Sequence, residues 1–140
     1  MKMPKCFSPY LFLGFIFCLL LSLLSACQKE MVDAKGTLEK QAERYWNERM
    51  INKNFKYTYE EEVKEGLPPF STYEEKMKIV NRIPTLSVKV TEVKVEGKNG
   101  IVKLVARCQI PKFPSSVDIP MGDRWVIEGN KWKHLLQVKF

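Results

Sequence analysis

The spacing of the apolar residues changes at Pro84, and this change constrains the fold more than any other feature of the sequence. Before Pro84, apolar residues recur every three or four positions, which is the repeat of a helix with one buried face. After Pro84, they alternate with polar residues, which is the repeat of a strand with one buried face. Helices followed by strands favour an α+β domain, with N-terminal helices packed on a bent antiparallel β-sheet of about four strands.

Three helices are predicted before Pro84, from this repeat and from residues that favour helix ends. The run Glu60-Glu61-Glu62 is interpreted as a solvated face of the second helix rather than as a carboxylate site. The predicted ends are Thr37 and Met50 for the first helix, Asn54 and Gly66 for the second, and a capping box of Ser71 and Glu74 that opens the third. The side chains predicted to face the core are Leu38, Ala42, Tyr45, Trp46 and Met50, then Phe55, Tyr59 and Val63, then Tyr73, Met77 and Val80.

The first hairpin predicted after Pro84 contains an irregularity. The alternation slips by one residue near Thr91-Glu92, which predicts a β-bulge that bends the strand. The segment from Gly97 to Gly100 is typical of a turn, and pairing its two glycines sets Val95 opposite Val102.

The second predicted hairpin has a two-residue loop, Gly129-Asn130, between strands at Asp123 to Glu128 and Lys131 to Val138. Its register sets charged residues opposite each other on one face and apolar residues on the other. The predicted pairs are Glu128 with Lys131, Ile127 with Trp132, and Trp125 with His134. The segment between the hairpins, from Pro111 to Pro120, is predicted to be a connector because it is too rich in proline for a strand.

In the order of its elements and in three short segments, the chain resembles a known family. The helix segment Ala42-Glu43-Arg44-Tyr45-Trp46, the turn Asn52-Lys53-Asn54-Phe55 and the closing hairpin from Trp125 to Leu136 resemble the nuclear transport factor 2-like superfamily. The resemblance covers most of Thr37 to Phe140 and implies a cone of helices and bent sheet with an apolar interior. A cystatin-like fold, with one helix against a similar sheet, is the alternative. The superfamily hosts enzymes, binding modules and accessory domains, so the resemblance does not assign a function.

The first 26 residues have the layout of a secretory signal. Lys2 and Lys5 precede an almost wholly apolar run from Tyr10 to Leu24, which is too short and wrongly flanked for a dedicated membrane span. The ending Leu24-Ser25-Ala26-Cys27 resembles the lipobox of bacterial lipoprotein precursors. That resemblance implies cleavage before Cys27, diacylglycerol on its sulfur and a further acyl chain, such as palmitate, on its new amino group. An ordinary cleaved signal or an uncleaved anchor helix is the alternative.

We therefore predict a signal peptide at 1–26, a lipidated tether at 27–36 and a single α+β domain at 37–140. Two or three acyl chains on Cys27 would anchor the protein stably to the cell envelope. The expected location is the outer membrane, facing the periplasm, or the outer face of the cell membrane in a host with one membrane.

Composition narrows the classes of partner. The formal net charge of +7 falls to +5 once Lys2 and Lys5 leave with the signal, and the remaining lysines are scattered. Nucleic acid is therefore not an expected partner. Cys108 has no predicted partner and lies on an apolar strand face, so we interpret it as a core residue. No motif indicates a cofactor or a metal, and neither is expected.

Three residues form the catalytic hypothesis that the sequence allows. His134 is the one histidine, Asp123 lies diagonal to it on the same predicted strand face, and Tyr45 is on the first helix. Together they would supply a base near neutral pH, an orienting carboxylate and a hydroxyl donor for a lyase or isomerase. The resemblance supports only the tyrosine, because ketosteroid isomerases also place one on the first helix. The alternative is that His134 is a core residue with satisfied hydrogen bonds.

A second hypothesis is a carrier of a small, flat apolar ligand held inside the cone. Arg107 or Arg124 would anchor an anionic group of that ligand. The alternative is that the large side chains simply fill the core. The candidate ligand-binding residues are Tyr45, Trp46, Tyr59, Tyr73, Trp125 and Trp132.

The third hypothesis, and the one that the sequence favours, is a non-enzymatic binding or accessory module at the envelope. Phe113 and Ile119 lie on the proline-rich connector, where exposed apolar side chains contact protein partners. The alternative is that this connector covers the open end of the sheet.

Overall fold

A computed structural model describes residues 34–137 of the 140-residue chain. The predicted signal peptide, the predicted acylation site Cys27 and the predicted strand residue Val138 lie outside this range. Within it, no helix is long and apolar enough to cross a membrane. The elements in chain order are α1 (34–50), α2 (Phe55–Glu61), α3 (Phe70–Val80), β1 (Thr85–Glu96), β2 (Asn99–Cys108), β3 (Val117–Glu128) and β4 (Lys131–His134).

The four strands form one antiparallel sheet in the order β1-β2-β3-β4, so each strand pairs with its neighbour in sequence. The three helices pack on one face of this sheet, which we call the inner face, and the predicted α+β fold class is confirmed. Alternate side chains of the strands are buried there because successive residues of a strand point to opposite faces. The buried residues of the inner face are Val88, Val93, Val102, Leu104, Ala106, Cys108, Asp123, Trp125, Trp132 and His134.

The helices exist where the spacing predicts them, but several of their ends differ. Residues 34–36 are already helical, so Thr37 does not begin α1. Gly36 costs a helix only about 1 kcal/mol relative to alanine, which is too little to stop it. The predicted start of α2 is confirmed, because the side chain of Asn54 accepts a hydrogen bond from the Tyr57 backbone N–H. That helix ends at Glu61 rather than at Gly66.

The predicted capping box of α3 is wrong. The helix begins at Phe70, one residue before Ser71, and its N-cap is Pro69, which offers no capping side chain. Phe70 packs against the small core formed by Phe55, Tyr73 and Met77. On the buried faces of the helices, the structure differs from the prediction at the ends: Met50 and Val63 are half-buried and Val80 is 48% exposed.

The first hairpin has the predicted bulge but a different register. The register shifts between Val90 and Glu92, as expected, and again near the start of β1. Val95 pairs with Gly100 rather than with Val102, which is a displacement of two residues. Because side chains alternate with a period of two, this displacement leaves the same residues on the inner face.

Gly100 explains the displaced register. A Cβ atom at this position would lie 2.4 Å from Cδ2 of Leu38 and 3.1 Å from Cζ3 of Trp132. Gly100 is therefore a strand residue over which α1 packs closely, and not the end of a turn. The turn itself is the two-residue loop of Gly97, with φ +58°, and Lys98.

The second hairpin has the predicted register, with Trp125 opposite His134, Ile127 opposite Trp132 and Glu128 opposite Lys131. Gly129 and Asn130 both have positive φ, as a type I′ turn requires. Within the residues that the structure describes, β4 ends at His134 and is therefore shorter than the predicted strand.

The interpretation of Pro111 to Pro120 as a connector is wrong over its second half. β3 begins at Val117 and includes Pro120, which lies opposite Val105 of β2. The described pairs between β3 and β4 begin at Trp125, so Pro120 lies on a stretch of β3 that forms an edge of the sheet. Proline is tolerated at an edge because its missing N–H removes no hydrogen bond to a neighbouring strand.

Candidate functional site

A cluster of buried polar side chains lies between the helices and the end of the sheet formed by β3 and β4. Its centre is the imidazole of His134, which is 2% exposed and lies between two carboxylates. Nδ1 lies 2.5 Å from Oε2 of Glu62, and Nε2 lies 2.5 Å from Oδ1 of Asp123. We call His134, Glu62, Asp123, Arg49 and Tyr45 the buried polar cluster.

The chain that follows α2 positions Glu62. The helix ends at Glu61, and Glu62 takes an extended conformation with ψ of 151°. Glu62 then forms an isolated parallel bridge with His134, and the N–H of Val63 donates to the His134 carbonyl at 2.9 Å. This backbone pairing turns the carboxylate of Glu62 inward, where it is fully buried.

The carboxylate of Glu62 accepts hydrogen bonds from three side chains. The hydroxyl of Tyr45 donates to Oε1 at 2.5 Å, and the hydroxyl of Tyr73 donates to the same atom at 3.0 Å. His134 binds the other oxygen. The interpretation of Glu60-Glu61-Glu62 as a solvated face is therefore wrong at Glu62, although Glu60 is exposed.

The carboxylate of Asp123 also has three partners. Its Oδ2 accepts the indole N–H of Trp46 at 2.7 Å and that of Trp125 at 2.8 Å, and its Oδ1 faces His134. Asp123 thereby joins α1 to β3 and β4 through a side chain that is 2% exposed.

Arg49 provides a second buried cation. Its Nη1 donates to the Tyr45 hydroxyl at 2.9 Å, and its guanidinium lies 4.8 Å from the centre of the Trp46 ring. The residue is 3% exposed. Burial alone would lower the pKa of Arg49, but the neighbouring Tyr45, Tyr73 and Glu62 raise it, so the arginine stays charged.

The hydrogen bonds indicate the charge state of the cluster. Ionised carboxylates only accept hydrogen bonds, so both ring nitrogens of His134 must donate, as they do in an imidazolium. Burial lowers the pKa of His134, but the hydrogen bonds and charges of Asp123 and Glu62 outweigh it and raise that pKa above its usual value. Two cations then balance two anions, which is the condition under which buried charges are tolerated.

The two tyrosines of this region stay neutral. Burial raises the pKa of Tyr45 well above its usual value, and the nearby Glu62 raises it further against the opposing effect of Arg49. Burial, with Glu62, also raises the pKa of Tyr73 to about 12. Both hydroxyls can therefore act as hydrogen-bond donors at any physiological pH.

The structure brings together Tyr45, Asp123 and His134, the three residues of the catalytic hypothesis. The Tyr45 oxygen lies 3.1 Å from Nδ1 of His134. Both ring nitrogens are nevertheless occupied by carboxylates, so in this arrangement the imidazole has no lone pair to accept a proton from a substrate. The two carboxylates lie on opposite sides of the ring. Among residues 34–137, no three His, Cys, Asp or Glu side chains are grouped to hold a metal ion.

The six candidate ligand-binding residues pack against one another and the rest of the core. The Tyr45 ring makes edge contacts with Trp46 and Trp125, each with ring centres 5.4 Å apart. Tyr59 is half-buried and contacts the ring of Tyr73. Tyr45, Tyr73 and Trp125 are fully buried, and Trp46 and Trp132 are 6% and 3% exposed.

Among the surface grooves of residues 34–137, two lie apart from the buried polar cluster. The larger, of about 420 Å³, lies between α1, α2 and β4. The smaller, of about 290 Å³, lies between the α1–α2 turn and α3. The larger is lined by Thr37, Lys40, Gln41, Arg44, Tyr57, Glu61 and Lys131, and the smaller by Lys53, Phe55, Glu74, Lys78 and Asn81.

The remaining candidate residues lie apart from the cluster. Arg107 and Arg124 are exposed on the outer face of the sheet, where Arg107 pairs with Asp118 at 2.8 Å, so neither arginine faces the interior. Phe113 is 61% exposed, whereas Ile119 is half-buried in β3 opposite Ala106 and does not lie on a loop.

Sequence reasoning missed Glu62, Arg49 and the buried Thr58, whose hydroxyl lies 3.1 Å from that of Tyr73. Their spacing nevertheless contained a signal. Thr58 and Glu62 follow Phe55 by three and seven residues, which places them on its helical face. Arg49 follows Tyr45 by four residues, on the buried face of α1. A charged residue on a buried helical face indicates a partner elsewhere in the chain.

Comparison with known proteins supports the fold. No protein-family model and no curated protein matches the sequence. An NTF2-like transpeptidase from Campylobacter jejuni is similar in structure, with a TM-score of 0.54 at 12% identity over 71% of this chain and 97% of the other. A SEC-C-motif-containing protein from Rhodopseudomonas palustris has a TM-score of 0.50 at 18% identity over 66% and 70% of the two chains. Identities this low establish the fold alone, and the described part of this chain has an NTF2-like fold.

Proposed function

We propose that this protein is a lipid-anchored envelope lipoprotein whose NTF2-like domain is a non-enzymatic accessory module for a protein partner. The anchor follows from the sequence, in which an apolar leader ends in Leu24-Ser25-Ala26-Cys27. The NTF2-like fold is compatible with binding and accessory roles, and the interior of this domain favours them over catalysis or transport.

The observation that carries the proposal is the filled interior. A carrier needs an apolar cavity, but the interior of this domain is occupied by packed aromatic rings. An enzyme of this kind needs a free base, but the imidazole of His134 is held by Glu62 and Asp123. A charge-balanced cluster whose carboxylates and imidazole are held by one another costs least when it remains closed. The surface, rather than the interior, is then left for recognition.

Intact mass spectrometry of the native protein, extracted gently in detergent, tests the proposal. We expect the mass of a chain that begins at Cys27 with diacylglycerol and a further acyl chain, and no stoichiometric small molecule. An unmodified Cys27 would contradict the anchor. A bound apolar molecule that is lost in the Trp46→Ala variant would favour the carrier instead.

An isomerase or lyase is the second candidate, because the Tyr45 hydroxyl and the Asp123 carboxylate both lie within hydrogen-bond distance of His134. Such an enzyme needs the cluster to open so that His134 can reach a substrate. Turnover of a ketosteroid or a hydroxylated aromatic substrate that disappears in His134→Gln, with the fold retained by circular dichroism, would support it.

A further inference from the structure

One end of the domain exposes a group of large apolar side chains. Six side chains, each between 39% and 61% exposed, lie on the end of α3, the turn between α3 and β1, the start of β1, the 109–116 connector and the start of β3. We call them the distal patch, which consists of Ile79, Val80, Ile83, Leu86, Phe113 and Val117.

The backbone brings these segments to one end of the sheet. Cys108, the last residue of β2, pairs with Thr85 of β1 on one side and with Val117 of β3 on the other. The N–H of Gln109 donates to the Pro84 carbonyl, and the Gln109 side chain donates to the Phe113 carbonyl at 2.9 Å. These contacts hold the start of β1 and the connector on either side of the end of β2.

The distal patch is comparable in size to the largest apolar patch of an ordinary monomer. Six side chains that are about half exposed present roughly 500 Å² of apolar surface, if each offers some 150–200 Å². The largest apolar patch of an ordinary monomer covers about 300–600 Å² and often marks an interaction site.

The distal patch lies far from the point where the N-terminal segment joins the domain. Leu38, near the start of α1, packs on Gly100 at one end of β2, whereas the patch surrounds Cys108 at the other end. Ten strand residues span about 33 Å. The start of α1 and the distal patch therefore lie at opposite ends of β2.

The rim of the distal patch is positively charged. Arg82 and Lys112 are exposed beside patch residues in sequence, and Lys53 reaches the carbonyl of Asn81 at 2.8 Å. Two nearby carboxylates do not offset this charge, because each already forms an ion pair: Glu74 with Lys78, and Asp118 with Arg107. A second copy of the chain would bring the same cations face to face, and like charges oppose such a dimer.

We infer that the distal patch binds a protein surface in which apolar side chains are flanked by carboxylates. This inference rests on the proposed accessory function and names the chemistry of the partner. Apolar contacts at the centre supply affinity, while Lys53, Arg82 and Lys112 at the rim set orientation and speed association.

The test uses the full mature protein in lipid nanodiscs, with a phage-displayed library of random 12-residue peptides as the probe. We expect enriched peptides to combine Leu, Phe or Trp with Asp or Glu. Fluorescence anisotropy should show at least tenfold weaker binding of such a peptide to the Phe113→Ser variant. Arg82→Glu should weaken binding at least threefold and reduce its dependence on salt.

Matched controls separate the patch from general surface effects. Ile101→Ser removes an apolar side chain that is 45% exposed on the outer face, and Arg124→Glu reverses a charge there. Both should leave binding unchanged. Enrichment of lysine-rich peptides, or equal binding by Phe113→Ser and Ile101→Ser, would overturn the inference.

The other occupants give distinct signals. A polarity-sensitive dye attached in the Phe113→Cys variant should keep its emission when the protein is anchored in vesicles of phosphatidylcholine and phosphatidylglycerol, and a blue shift would mean that the patch binds lipid. A dimer in sedimentation equilibrium that Phe113→Ser dissociates would mean self-association. Either result overturns the inference but leaves the mass-spectrometric test of the anchor unaffected. Conversely, an unacylated Cys27 would contradict the proposed function even if the peptides bind.

Discussion

Replacing Glu62 with glutamine should destabilise the domain by about 3–5 kcal/mol. The amide keeps the size of the side chain but removes the charge that faces His134. It also turns an N–H group toward one of the side chains that donate hydrogen bonds to the Glu62 carboxylate. The lost charge-assisted bond to the imidazole is worth about 1.5–3 kcal/mol, and each of the two tyrosine bonds loses about 0.5–1 kcal/mol of charge assistance. The sum agrees with the cost of breaking a buried ion pair by removing one partner.

Urea unfolding of the protein, followed by tryptophan fluorescence, measures this loss. A decrease of this size moves the unfolding midpoint by about 2–4 M at an unchanged slope. Glu60→Gln is the matched control, because Glu60 belongs to the same acidic run but is exposed, and its effect should stay within about 0.5 kcal/mol. A loss below about 1 kcal/mol for Glu62→Gln would refute the closed, charge-balanced cluster.

Three further predictions follow from the same packing. The folded-state pKa of His134 is raised, so the contribution of this residue to stability is complete below the usual pKa of 6.5 and is lost as the pH rises through the folded value. Between those two pKa values, the free energy of unfolding should fall by up to about 1.4 kcal/mol per pH unit. The His134→Gln variant should not show this fall. Gly100→Ala should cost about 1–3 kcal/mol in denaturant unfolding because its Cβ would meet Leu38, whereas Gly122→Ala, whose Cβ meets nothing within 4 Å, should not destabilise the domain. Trp46→Phe removes one of the two indole N–H groups that donate to the buried carboxylate of Asp123. It should lower the midpoint of thermal unfolding by an amount equivalent to about 1–3 kcal/mol. An unchanged midpoint would show that this hydrogen bond is dispensable.

The buried polar cluster was only partly predictable. His134, Asp123 and Tyr45 stand out because a histidine, a carboxylate and a tyrosine fall on predicted buried faces. Glu62 shares the helical face of Phe55, but only the tertiary structure shows that its backbone, and not that of Glu60 or Glu61, forms the bridge with His134. The closed state of the cluster depends on which atoms meet across the fold, and no spacing along the chain contains that information.

The sequence by itself determined the elements that local chemistry controls. The change of period at Pro84 separates helices from strands, the slip near Thr91 produces the bulge, and Gly129-Asn130 sets the register of the last hairpin. Each depends on steric and hydrogen-bonding preferences within a few residues, so each can be predicted before any long-range contact is known.

Tertiary structure decided the rest. Gly100 became a packing site because α1 lies over it, and Glu62 became a core residue because the chain after α2 pairs with β4. Pro120 became a strand residue because that part of β3 lies at an edge. In each case the local preference is weak, about 1 kcal/mol or less, and the burial of neighbouring side chains is worth several times more. Contacts between distant segments therefore decide the conformation of these residues.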